Sequence, residues 1–138
     1  MHFGIDYGSK TSGNTAIAYD KADQIYIIQA EPKKDADAWI KKNVIELKPD
    51  KLFIDAPLSL PSIYSSGKGA DYFYRECDRV VKGMSPLFIG GLTARAMKLK
   101  SEVEQMGIEV IEIYPKMLAR ENSDLADYKT TKEALKHY

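Results

Sequence analysis

Apolar and polar positions alternate along the first thirty residues and then switch to a helical spacing. Residues 2–7 form a short apolar run that reads as a buried strand ending at Asp6 and a glycine turn. Residues 8–14 are small, polar and glycine-rich, which predicts a turn. Residues 15–19 alternate Thr, Ala, Ile, Ala, Tyr, residues 20–23 are polar, and residues 24–28 are β-prone. Three strands with two short connections predict an antiparallel meander. From Asp35 the period changes: Ala36, Ile40, Val44 and Leu47 share one helical face, with Asp35 as N-cap and Pro49 as stop. Residues 51–55 then predict a fourth strand, again ended by an aspartate, Asp55. An irregular stretch follows to Gly69, and residues 71–82 fit a helix with Phe73, Cys77, Val80 and Val81 inward. Leu92, Ala96, Leu99, Val103 and Met106 predict the most regular amphipathic helix, closed by Gly107. Residues 108–114 predict a fifth strand, and the tail from Lys116 is helical in pieces.

The predicted order β-β-β-α-β-α-α-β-α specifies an α/β domain with a mixed sheet flanked by helices. Right-handed crossovers put the fourth strand parallel to the first, on its free edge, so the expected strand order is 3-2-1-4-5. The 138 residues suit one domain spanning 1–138.

Charge and cysteine usage narrow the chemistry. Twenty basic residues balance twenty acidic ones, so no global basic field points to nucleic acid. A single cysteine, Cys77, excludes an internal disulfide, and it is expected in the core. With only His2 and His137, neither a Cys/His zinc site nor histidine-centred catalysis is expected. No apolar run approaches the roughly 20 residues that span a bilayer, so no membrane partner is expected. The first residues enter a strand directly, so no signal peptide is expected, and the default location is cytoplasmic.

Asp6 and Asp55 carry the main functional signal. Each ends an apolar strand, and in the expected order those strands are neighbours. Two carboxylates at one sheet edge repel unless a divalent cation or a shared proton separates them. Glu112, on the fifth strand, is the third candidate ligand. The competing reading is that the aspartates only cap turns or helices. Arg75, Asp78 and Arg79 fall at i, i+3 and i+4, where two arginines suit a phosphate and Asp78 orients one or joins a metal shell; an ordinary solvated ion pair is the alternative. Residues 8–14, with Lys10, suit a phosphate cradle or simply a hairpin turn. Lys116, Lys129 and Lys132 are candidate backbone contacts or plain surface lysines, and Tyr64, Tyr72 and Tyr74 suit stacking on bases or packing of the long loop.

Several short motifs together resemble the RNase H-like superfamily. They are Gly4-Ile5-Asp6 with Gly8, Ile54-Asp55-Ala56-Pro57-Leu58 with Leu60-Pro61, Arg75-Glu76-Cys77-Asp78-Arg79, Glu112-Ile113-Tyr114-Pro115, and Tyr128-Lys129. The nearer likeness is to a branch predicted to act as nucleases; Holliday-junction resolvase-type proteins are more distantly similar. The resemblance implies an RNase H-like fold, Mg2+ or Mn2+ held by Asp6, Asp55 and Glu112, and hydrolysis of phosphodiester bonds in DNA or RNA. Catalysis would rest on Asp6, Asp55, Glu112 and Asp78, and substrate binding on Lys10, Arg75, Arg79, Lys116 and Lys129. The superfamily also implies a last acidic ligand after the fifth strand, for which Asp124 and Asp127 are the nearby candidates. Two other classes stay open: nucleotide or phosphate binding, as in the actin-like ATPases of related fold, and a non-catalytic binding module.

Overall fold

A computed structural model describes residues 1–115. Five strands form one sheet: β1 (His2–Asp6), β2 (Ala16–Lys21), β3 (Gln24–Gln29), β4 (Lys51–Ile54) and β5 (Glu109–Glu112). Their order is β3-β2-β1-β4-β5, as the sequence predicts. β2 is antiparallel to both β1 and β3, whereas β4 runs parallel to both β1 and β5. The β2–β3 turn is tighter than expected. Ala22 and Asp23 take positive φ, 52° and 62°, which matches the twist of the flanking strands and lengthens both.

Helix α1 (Ala36–Leu47) starts where Asp35 Oδ1 accepts the N–H groups of Asp37 and Ala38, a cap that stabilises by ~1 kcal/mol. It turns Ala36, Ile40 and Val44 inward and ends at Lys48 in the left-handed region. Two short helices follow β4, α2 (Ile63–Ser66) and α3 (Glu76–Val81). A 3-10 turn, Pro86–Ile89, then leads into α4 (Gly90–Glu104). α4 buries Thr93, Ala96, Leu99 and Val103, whereas Met106 lies beyond its end and is exposed. The core joins Ile40, Val44, Ala96, Leu99 and Val103 to Phe3, Ile5, Ile17, Leu52, Ile54 and Val110 of the sheet. Strand partners in register share a face, so α1 and α4 both pack on this one face. Among the described residues no helix is long and apolar enough to cross a membrane.

α3 is shorter than the helix expected over 71–82. Asp71 accepts the N–H groups of Phe73 and Tyr74, which holds a turn where a helix was expected to begin. The helix therefore starts late and on another face. Val81 is buried, whereas Phe73, Val80 and Cys77 are exposed. The expected core position of Cys77 is thus corrected; its Sγ accepts the Tyr114 hydroxyl at 3.1 Å.

Candidate functional site

β1 and β4 pair with Gly4 opposite Phe53 and Ile5 opposite Ile54, so one further step sets Asp6 beside Asp55 at the carboxyl ends of two parallel strands. The two side chains are close enough for the charge of Asp6 to act on the Asp55 carboxyl. They share the face of Gly4 and Phe53, opposite the helix-covered core. A side chain at Gly4 would meet nothing nearer than Ala18 O at 3.9 Å, so the space beside the pair is open. The two groups are unequal: Asp6 is exposed, whereas Asp55 is half-buried. Asp55 Oδ1 accepts the Tyr7 N–H at 2.8 Å, a bond from the neighbouring strand's loop and not a cap on its own turn. Burial pushes the Asp55 carboxyl up to about 8; the Tyr7 N–H opposes the rise, and the charge and hydrogen bond of Asp6 add to it. The pair therefore retains a proton near neutrality.

Glu112 does not join them. It pairs in register with Ile54, the residue before Asp55, so it points to the opposite face. Glu112, expected as the third ligand, therefore lies on the other face of the sheet from the pair, and among the described residues no group of three acidic, histidine or cysteine side chains is arranged to hold a metal. Glu112 instead receives Arg75: Nη1 donates to Oε1 at 2.7 Å and Nη2 to Oε2 at 2.8 Å. Oε1 also accepts the Leu58 N–H at 2.9 Å.

Arg75 and Asp78, expected on a solvent-facing helix surface, are enclosed. The Arg75 side chain is 9% exposed and that of Asp78 1%. Arg75 Nε and Nη2 donate to Asp78 at 3.0 and 2.7 Å, and Nη1 also reaches Ser59 Oγ at 3.0 Å. Asp78 Oδ2 accepts the Arg75 backbone N–H at 2.9 Å, so Arg75 stands at the helix start and not on its surface. Burial lowers the affinity of Arg75 for its proton, but the bonds to Glu112 and Asp78 outweigh this and keep the guanidinium charged. Its guanidinium donors are all taken by Asp78, Glu112 and Ser59, so Arg75 anchors this part of the fold.

The other expected contacts are dispersed. Arg79 is exposed, pairs with Asp71 and lies over the Tyr74 ring at 5.4 Å. The N–H of Tyr74, followed by Arg79, holds the Asp71 carboxyl down at about 2. Tyr64 and Tyr72 pack edge to face at 5.8 Å on the exposed surface of the loop. Lys10 is exposed and stands 3.7 Å from Asp35. Gly8 N–H closes the 8–14 loop on Thr15 Oγ1, and the loop is stitched to the entry of α1 where Lys33 N–H donates to Thr11 O and Ala36 N–H to Lys10 O. Lys116, Lys129 and Lys132, with Asp124 and Asp127, lie outside the described residues.

A second arginine network went unread in the sequence. Arg95 of α4 meets both oxygens of Asp37 at 2.9 and 3.0 Å and donates to Gly8 O at 3.0 Å. Its guanidinium lies 4.6 Å from the centre of the Tyr7 ring, and the Tyr7 hydroxyl donates to Asp37 Oδ1 at 2.5 Å. Burial, then the bond to Asp37, raises the Tyr7 hydroxyl well above its ordinary range. Tyr7 thus fixes both its own loop and Asp55. The only signal in the sequence was the position of Tyr7 directly after Asp6. No protein-family model matches the chain, and no curated protein matches it.

Proposed function

We propose that the chain is a metal-dependent phosphodiester hydrolase of RNase H-like fold, a nuclease acting on DNA or RNA. The observation that carries this reading is the Asp6–Asp55 pair at the carboxyl ends of two adjacent parallel strands. The sheet order and the mixture of antiparallel and parallel pairings agree with the implied fold.

The donor set fits a hard divalent ion. Magnesium is commonly held by one or two carboxylates and completes its shell with water and substrate phosphate. Asp6 and Asp55 offer that number of carboxylates on the open face beside Gly4. Mg2+ or Mn2+ held there supplies Lewis acidity and lowers the pKa of a bound water. The protein's part is to hold the carboxylates in place. Tyr7 N–H fixes one oxygen of Asp55, and Arg95 with Asp37 fixes Tyr7. Glu112 and Arg75 hold Leu58 and Ser59, just after Asp55, as positioning residues. Arg79 and Lys10, both exposed, are the described candidates for phosphate attraction.

The test is cleavage of single-stranded, duplex and branched DNA and RNA by the purified full chain with Mg2+ or Mn2+. Asp6→Asn and Asp55→Asn should each abolish cleavage while circular dichroism stays unchanged. Millimolar Mn2+ should stabilise the parent, by about 2.7 kcal/mol at a hundredfold excess over Kd, and leave Asp55→Asn unmoved. Saturable ATP binding with no cleavage of any polymer overturns the proposal in favour of phosphate binding.

A further inference from the structure

β3 is an edge strand among the described residues, and its composition is unusual for one. Gln24–Gln29 reads Gln-Ile-Tyr-Ile-Ile-Gln, with no charge, proline or glycine. Ile25 is 60% exposed, Tyr26 40% and Ile27 45%. Unpaired edges are ordinarily blunted by lysine, proline, a bulge or a short length, because their free N–H and C=O groups recruit other strands. Six uncharged residues with apolar side chains on both faces have none of these guards.

We propose that β3 pairs antiparallel with β3 of a second copy of this chain, joining two sheets into one of ten strands. A two-fold axis perpendicular to the sheet keeps each face on its own side, so only residues of equal parity can meet. Centring the axis on Tyr26 sets Tyr26 against Tyr26 of the second copy, and Ile25 against its Ile27. Every exposed apolar side chain in the strand then gains an apolar neighbour. The Tyr19–Tyr26 stack, with ring centres 5.4 Å apart, continues across the axis.

The charges at the two ends of the strand favour the same occupant. The hairpin tip carries Asp20, Lys21 and Asp23, and the far end carries Glu31, Lys33, Lys34 and Asp35 with Lys10 beside it, all exposed. Antiparallel pairing brings the net negative tip of one copy beside the net positive end of the other, twice. Because β3 runs parallel to β1, the two Asp6–Asp55 pairs would sit at opposite edges of the joined sheet, so the interface leaves both open. The inference does not depend on the proposed chemistry.

The test is sedimentation equilibrium of the full chain over a range of concentrations. The expected result is a reversible dimer that Ile27→Lys and Ile25→Lys each weaken by at least about tenfold, with circular dichroism unchanged. In a Cys77→Ser background, Tyr26→Cys should form a disulfide-linked dimer under mild oxidation, since facing residues of an antiparallel pair lie within disulfide reach. Cys77→Ser alone should not. Amide exchange along β3 should slow as concentration rises. A monomer at every concentration, or a dimer indifferent to both lysines, overturns the proposal. So does β3 protection independent of concentration, which would mean that another part of the same chain covers the edge.

Discussion

Replacing Arg75 with methionine separates an anchoring arginine from a substrate-binding one. Arg75 makes two bonds of 2.7 and 2.8 Å to Glu112 and three of 2.7–3.0 Å to Asp78, counting its backbone N–H. The three side chains are 9%, 15% and 1% exposed, so the partners have little water to fall back on. Methionine matches the stem but leaves two enclosed carboxylates without a counter-charge. Breaking such a pair by removing one partner costs about 3–5 kcal/mol. Against a total stability of about 5–15 kcal/mol, that loss would lower the melting temperature by roughly 10–20 °C. Urea and thermal denaturation measure it directly. Adding Asp78→Asn and Glu112→Gln should recover much of the deficit, because the amides still accept N–H bonds and carry no stranded charge. A variant that melts within about 2 °C of the parent yet loses nucleic-acid affinity would refute the anchoring argument and return Arg75 to the substrate.

Two further outcomes follow from the site and its loops. Asp55 titrates near 8 in the folded chain against 3.8 for a free aspartate, so the folded state holds the extra proton between those values. Stability should therefore fall as pH rises from about 4 through 8, and Asp55→Asn should remove that slope, being more stable than the parent at pH 9 and level with it at pH 4 in paired urea titrations. Gly13 sits at φ 77°, and a β-carbon there would lie 2.7 Å from Pro32 N. Gly13→Ala should thus destabilise by roughly 1–3 kcal/mol in the same assay; an unchanged midpoint would show that the 8–14 loop yields freely.

The strand order was readable because few topologies were open. Short links forced β1, β2 and β3 into a meander, and the handedness of crossovers put β4 beside β1. Asp6 and Asp55 then had to meet, since each ends its strand. Glu112 also ends a strand, but its face depends on the register between β4 and β5. A slip of one residue reverses a face, and no local pattern shows which residue stands opposite Asp55. The helix start around Arg75, Asp78 and Arg79 was not legible for a different reason. Their spacing, with Phe73 and Val80, imitates a helical face, whereas Asp71 holds the preceding residues in a turn and Arg75 becomes the first boundary of the helix. The Arg95–Asp37 pair spans 58 positions, a separation at which the sequence pattern is silent.

The fold uses an arginine twice as a clamp, once with Arg75, which the sequence suggested for substrate, and once with Arg95. Asp6 is followed by Tyr7 and Gly8, and both are held by Arg95, one beneath its guanidinium and one through its carbonyl oxygen. Asp55 is followed by Leu58 and Ser59, and these are held by Glu112 and Arg75. Each acidic residue therefore leads into a loop pinned by a buried or half-buried arginine network. Tyr7 N–H then ties the first loop to the second carboxylate. Under these constraints Asp55 cannot swing away from Asp6 to relieve repulsion, as a pair of surface aspartates would. A shared proton, favoured by the burial of Asp55 and the charge of Asp6, or a cation at the open face beside Gly4 would neutralise the pair. A cation held there as proposed would compete with the proton for the same two carboxylates, so the pH slope and any response to divalent ions should disappear together in Asp55→Asn.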